Sequence, residues 1–594
     1  MIRIVPALAL LLLAAPAAAQ ERAYFQQGVD YRIEAALDEE TDVLHGRARL
    51  RYTNRSRSTL DTLFIHQHLN AFRPNSAWAR RELEYGERRF TSLGPREHAF
   101  ERFTSVTVDG AAVRPAYPGA PDSTVAALAL PRPLAPGASV TVVMDWDARL
   151  STLPRRQGRR DRHFDFAQWY PRIAVFDRTG WAYQALLPQG EFYGEFGRYD
   201  VTLDVAADQV IGSTGIAVEG NPGYQNATLG LSVRPGPADG LGLLAGEPAA
   251  GRKRVRFVAD SVHHFGWSAD PAFRHEFVER TVLDEAKGMH GVAGIHVLYL
   301  PGDTAWDENV VTRRTYDALT WLEGVFGPYP WPQLTNLHRL ESGGTEFPML
   351  VMNGSASEGL IVHEVTHQYL HGILANNEWR EGWLDEGFTS FMVNWRRELQ
   401  GDTAVWRGTM AALERLERAD SIEAIGLPGA AFSSPRIYSA MTYTRASAVF
   451  RMLRELVGEQ TFRQILRTFY ARHRLQHVTG EDFQRVAEEV SRRDLDWFFG
   501  QWIARTDRLD YGIGRASTAP TRDGRWRTRV EVLRMGQAWM PVVLRVGDAT
   551  RTLDSRARRQ TVEIVTRARP ADAVLDPEWV LLDMERANNR AELR

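Results

Sequence analysis

The 594-residue chain contains no cysteine. Disulfides, thiolate metal sites and cysteine nucleophiles are therefore all excluded. Lysine is nearly missing too: only Lys253 and Lys287 occur, so almost all of the 72 basic residues are arginine. Neither charge sign is in excess, since 74 acidic residues leave a net charge of −2. That balance offers no global basic field for nucleic acid. The run Arg155, Arg156, Arg159, Arg160 and Arg162 lacks the aromatic interleaving of a nucleic-acid surface and reads as a solvated loop. Beyond the N-terminus no apolar run is long enough for a transmembrane helix. What remains is ordinary for folded protein, with 44% hydrophobic and 25% charged residues. At roughly 150 residues per domain, the length suggests about three or four domains.

Residues 1–19 have the form of a secretory signal. Arg3 gives the positive start, Ile4 to Ala15 an apolar stretch, and Ala17-Ala18-Ala19 a small-residue cleavage site. The expected location is across an inner membrane, periplasmic or extracellular. From 20 to 262 the pattern is mostly of period two, as in Ala48-Arg49-Leu50-Arg51-Tyr52 and Tyr199-Asp200-Val201-Thr202-Leu203, which predicts an antiparallel β domain. Apolar spacing of 3.6 residues then predicts helices over Glu276–Met289, Val311–Gly324, Gly359–Ala375, Gly382–Gln400 and Tyr443–Leu456 within a domain spanning 263–509. Two further helical stretches, Asp482–Val490 and Leu495–Ile503, close that domain. Alternation returns over 510–594, for example Val542-Val543-Leu544-Arg545-Val546. The order is β, α-rich, β.

The chemistry concentrates at His363-Glu364-Val365-Thr366-His367. Residues at i and i+4 of a helix project from one face, one turn apart, so two neutral imidazoles can share a cation while Glu364 stands beside them to handle a proton. A third ligand should return on a second helix, and Glu386 in Gly382-Trp383-Leu384-Asp385-Glu386-Gly387 lies at a suitable distance along the chain. Asp385 is the rival, about 100° around the helix. Two histidines and one carboxylate leave a fourth position open, as in catalytic rather than structural zinc sites. One Zn2+ per chain is expected.

This combination resembles the gluzincin aminopeptidases, the family of aminopeptidase N and leukotriene hydrolase. The resemblance extends to Gly343-Gly344-Thr345-Glu346, similar to the family segment whose glutamate binds the substrate α-amine, and to Tyr443-Thr444-Arg445-Ala446, similar to the segment whose tyrosine donates to the oxyanion. Thr345 and Phe347 replace the usual Met and Asn, and Arg445-Ala446 replace Lys-Gly. Gln168-Trp169-Tyr170-Pro171-Arg172 and Gly190-Glu191-Phe192-Tyr193 resemble the family's N-terminal β domain, with Gln168 matching a substrate-facing glutamine. The implied fold is a multidomain α+β chain: an N-terminal antiparallel β domain, a thermolysin-like α-rich zinc domain and a small C-terminal β-sandwich. The implied activity is a zinc aminopeptidase acting on peptides with a free N-terminus. Glu364 and Tyr443 are then catalytic, His363, His367 and Glu386 bind metal, and Glu346, Gly343, Gly344 and Gln168 face substrate. Two alternatives use the same residues: a zinc endopeptidase, and an inactive peptidase-fold binding module. The C-terminal 85 or so residues do not resemble the long helical domain that encloses the site in many relatives, so an accessible cleft is expected.

Overall fold

The computed structural model describes residues 24–224, 240–284, 289–402 and 404–593. The signal sequence expected over 1–19 lies outside them. The N-terminal region is built on an eight-stranded sheet in the order Ile216–Glu219, Arg252–Val262, Gly197–Ala206, Gly28–Asp38, Val43–Thr53, Ser139–Arg149, Phe100–Val108, Ala111–Ala112. Its strands alternate buried and solvent-facing positions as their sequences do; in Ser139–Arg149 every second side chain, from Val140 to Ala148, is buried. The sheet is not wholly antiparallel. Gly28–Asp38 runs parallel to Gly197–Ala206, a pairing that the long intervening crossover permits.

A second, four-stranded sheet orders Val210–Ser213, Trp267–Asp270, His163–Phe166 and Gly158–Arg160. Strand pairing that begins in the N-terminal region thus continues past residue 262. This sheet carries a buried charge triad, in which His163 Nε2 lies 2.9 Å from Asp165 and Nδ1 lies 2.9 Å from Asp270. Asp165 also accepts from the backbone N–H of Leu340, tying the sheet to the loop that leads into Gly343–Glu346.

Burial opposes a charge on His163, but the two carboxylates prevail and raise it from 6.5 to about 9. A raised folded-state value stabilises fully below about 6.5, and that stability is lost as pH rises through about 9. The contribution is on the order of 3 kcal/mol. His163→Gln should therefore cost most stability near pH 6 and little above pH 9.5, measured by urea unfolding across that range. An equal loss at both pH values would contradict the ion-pair account.

The α-rich region opens with strands. Arg274–Asp284 and Met289–Tyr299 form a hairpin in full register, correcting the helix expected over Glu276–Met289. Its Glu- and Arg-rich composition suggests a helix, yet Arg280 and Val282 are buried while Glu279 and Thr281 face out, with period two. Pairing with Gln333–His338 extends the hairpin into a five-stranded sheet that ends in Leu350–Asn353 and the edge strand Gly344–Phe347. Helix α1 (Val310–Val325) packs against α2 (Glu358–Thr366), whose Ile361, Val362 and Val365 are buried. Helix α2 is shorter than the predicted Gly359–Ala375. His371 adopts a φ of 117°, and Leu374–Asn376 leaves to pair with Gln476–Val478. Helices α3 (Phe388–Leu399) and α4 (Ala446–Val457) meet through stacked Phe388 and Phe450, 4.0 Å between centroids. Such buried aromatic pairs are costly to truncate, about 3–5 kcal/mol each. The C-terminal region consists of a three-stranded and a four-stranded antiparallel sheet, from Tyr511 to Glu592. Among the described residues no helix is long and apolar enough to cross a membrane.

Candidate active site

Two wide helical turns frame the site. Residues Trp383–Gly387 and Ala440–Arg445 both adopt π-helical geometry, a form often found at functional positions. They approach closely because Gly387 lacks a side chain: a β-carbon there would lie 2.3 Å from the Ala446 Cβ and 2.7 Å from the Thr442 carbonyl. That contact brings Tyr443 Oη to 2.5 Å from Glu386 Oε1, where the hydroxyl donates to the carboxylate.

His363 Nε2 and His367 Nε2 are 3.2 Å apart, and Glu386 Oε2 is 3.0 Å from the first and 3.4 Å from the second. Ligand atoms around a tetrahedral zinc with bonds of roughly 2.0–2.1 Å would be about 3.4 Å apart, so the donor set fits this ion in spacing and in type. Asp385, the rival ligand, instead faces His367 Nδ1 at 2.8 Å, the outer carboxylate that orients a ligating imidazole. The donor atoms of His363, His367 and Glu386 thus surround one point. Burial raises the Glu386 carboxyl, but hydrogen bonds from His363 and His367 outweigh it and hold the group well below the usual carboxylate range.

Glu364 is 4% exposed and faces the same cleft. Burial pushes its carboxyl up to about 7, with Glu346 and Glu386 adding to the shift and His363 and His367 opposing it. Its carboxylate occupies the space a side chain at 344 would need. A β-carbon on Gly344 would lie 2.0 Å from Glu364 Cδ, so only glycine fits beneath this base. Gly343 has a φ of 80°, a left-handed conformation that glycine adopts without strain. Glu346 follows on the edge strand, 5% exposed, and lines the cleft with both glycines.

The cleft has a volume of about 750 Å³. It brings together His363, Glu364, His367, Glu386, Tyr443, Glu346, Gly343 and Gly344, and no residue lining it comes from the C-terminal region. Gln168 is not among its lining residues; it sits 4% exposed at a positive-φ turn. Glu191 and Arg156 are among the cleft residues that sequence reasoning did not single out. Glu191 stands near Glu346 and Glu378, the three carboxylates converging within 4.8 Å. Its segment, Gly190-Glu191-Phe192-Tyr193, was visible as a domain signature but carried no role. Arg156 contacts Glu191 and lies 3.7 Å from Glu346. The basic run expected to be a solvated loop is thus divided: Arg160 and Arg162 are exposed, whereas Arg155 and Arg156 line the cleft. In a chain whose cations are nearly all arginine, composition gave no signal to separate them.

Helix α2, the returning glutamate and the edge strand define a candidate metal centre of two histidines and one glutamate. Residues 350–502 match the Peptidase family M1 domain. Among curated relatives, aminopeptidase N of Caulobacter vibrioides is 28% identical over 155 residues, covering 24% of this chain and 17% of that protein. Aminopeptidase N of Lactococcus lactis subsp. lactis is 24% identical over 161 residues, covering 24% and 18%. The matched stretch therefore spans under a fifth of these relatives. The fold likeness is broader. Legionella pneumophila aminopeptidase A, solved in complex with aspartic acid, superposes over 96% of this chain and 59% of its own, with TM-score 0.63 and 14% identity. The M1 zinc metallopeptidase of Deinococcus radiodurans covers 80% of this chain and 94% of its own, with TM-score 0.52 and 17% identity.

Proposed function

We propose that the protein is a zinc aminopeptidase that hydrolyses the first peptide bond of peptides with a free N-terminus. The observation that carries this reading is the placement of Glu346 and Glu191 in the same cleft as Glu364 and the three metal-binding residues. A zinc ion held by His363, His367 and Glu386 would polarise the scissile carbonyl and acidify the attacking water. Glu364 would take the proton from that water and deliver it to the leaving amine. Tyr443, already directed at this point through its bond to Glu386, would turn to donate to the oxyanion. Glu346 would hold the substrate ammonium by a charge-assisted hydrogen bond, so that the bond next to the N-terminus lies at the metal. The free backbone edge of Gly344–Phe347 would align the peptide as an added strand.

The same reading keeps 1–19 as a cleaved signal, a division at 509 and a periplasmic or extracellular location, and moves the first division from 262 to beyond Trp267–Asp270, which pairs with N-terminal strands. It is tested by comparing a peptide with its N-acetylated form. The free peptide should be cleaved at least about 100-fold faster, since acetylation removes the charge that Glu346 binds. Equal cleavage of the two would favour the endopeptidase. No cleavage of either by metal-loaded protein would favour the binding module.

A further inference from the structure

The Arg156 side chain is 10% exposed and enters the cleft from the N-terminal region. Its backbone has a φ of 62°, which a β-carbon disfavours, and its N–H donates to Glu341 Oε2 at 2.6 Å. The guanidinium contacts Glu191, lies 3.7 Å from Glu346 Oε1 and stacks over Phe192 at 5.4 Å from the ring centroid. It is therefore fixed beside the two carboxylates that the proposed function assigns to the substrate amine. Any side chain on the first substrate residue branches from the carbon next to that amine. A side chain that leaves the seat on the Arg156 side meets this guanidinium.

The local charges give this position its meaning. Arg155, Arg156 and Arg339 all line the same end of the cleft. Three carboxylates face them: Glu341 pairs with Arg155 and Arg339, while Glu191 and Glu346 stand against Arg156. Glu378 is a fourth carboxylate, wholly buried and within reach of Glu191 and Glu346. A second cation on the first substrate side chain would meet the Arg156 guanidinium in a buried site, where like charges are costly, whereas a planar guanidinium matches a carboxylate in two parallel hydrogen bonds.

We propose that Arg156 is a specificity-determining residue that selects peptides whose N-terminal residue carries a carboxylate, aspartate or glutamate, over those beginning with arginine or lysine. This rests on the aminopeptidase reading above. The test is kcat/KM for glutamyl-, alanyl- and arginyl-arylamides with the full-length, zinc-loaded enzyme. Wild type should prefer the glutamyl over the arginyl substrate by at least about tenfold. Arg156→Gln should bring that ratio to one or below, chiefly by raising KM for the glutamyl substrate. Arg156→Lys should keep the order. A wild-type preference for the arginyl substrate, or a ratio unmoved in a folded Arg156→Gln, overturns the proposal. Should the glutamine variant fail to fold, inhibition of wild type by free glutamate against free arginine reads the same order without any substitution. Equal cleavage of free and acetylated peptides would instead reject the aminopeptidase reading itself.

Discussion

Glu364→Gln should lower kcat by about 10²–10⁴-fold while metal content and fold stay as in wild type. Glutamine has nearly the same shape, and the space beneath residue 364 is held open by the missing side chain of Gly344. The substitution therefore removes one property, the ability to take up a proton. The carboxyl is buried beside Glu346 and Glu386 and is pushed up to about 7, which places it near the pH at which a base and its conjugate acid are both useful. The base works ionised, so kcat/KM should rise with pH on its acid limb. A divalent ion close by favours the carboxylate, which puts that limb at or below about 7. In Glu364→Gln the limb should disappear with most of the rate. Turnover near wild type in a metal-loaded Glu364→Gln would remove this residue from the mechanism.

Neighbouring residues differ in how they support that step. Tyr443 lines the cleft and touches Glu386, whereas Asp385 lies outside the cleft lining and faces His367. The separation follows from helical geometry, in which consecutive residues point roughly 100° apart. Asp385 and Glu386, rivals by sequence, meet opposite nitrogens of the His367 ring: Asp385 faces Nδ1 and Glu386 faces Nε2.

The cluster of His363, His367 and Glu386 was legible because it depends on local geometry. His363 and His367 need only one helical turn, and Glu386 only a second helix returning within a short span. The long alternating strands of the N-terminal sheet were legible for the same reason, since each shows its buried face in its own residues. What escaped depends on contacts distant in sequence. Arg274–Asp284 is a strand because it pairs with Met289–Tyr299 and, through it, with Gln333–His338. Its own composition favours a helix. Arg156 reaches Glu346 from 190 residues away and resembles every other arginine in the run. Glu191 joins Glu346 and Glu378 only once two regions have packed together. The arginine bias that conveyed nothing as composition thus conceals a residue placed in the cleft.

Removing the metal should abolish turnover, and zinc should restore it in wild type but not in His367→Ala. The donor atoms are two imidazole nitrogens 3.2 Å apart with the Glu386 carboxylate at 3.0 and 3.4 Å, and each imidazole must present an unprotonated nitrogen to the ion. Burial works against a charge on His367, but Asp385 and Glu386 outweigh it and raise the ring well above its ordinary value. Protons and metal therefore compete for the same atoms, and zinc affinity should weaken by about tenfold per pH unit for each proton displaced. The direction is fixed: loss on acidification, recovery on raising the pH. Bound metal also stabilises the fold by mass action, about 4 kcal/mol at a thousandfold excess over Kd, so chelation should lower the thermal midpoint. In His367→Ala the carboxylate of Asp385 loses its partner in a wholly buried position, and added zinc should raise neither the midpoint nor the rate. Metal content, midpoint and turnover measured on one chelated and reloaded sample check all of this together. Undiminished turnover in protein freed of metal would overturn the assignment of His363, His367 and Glu386.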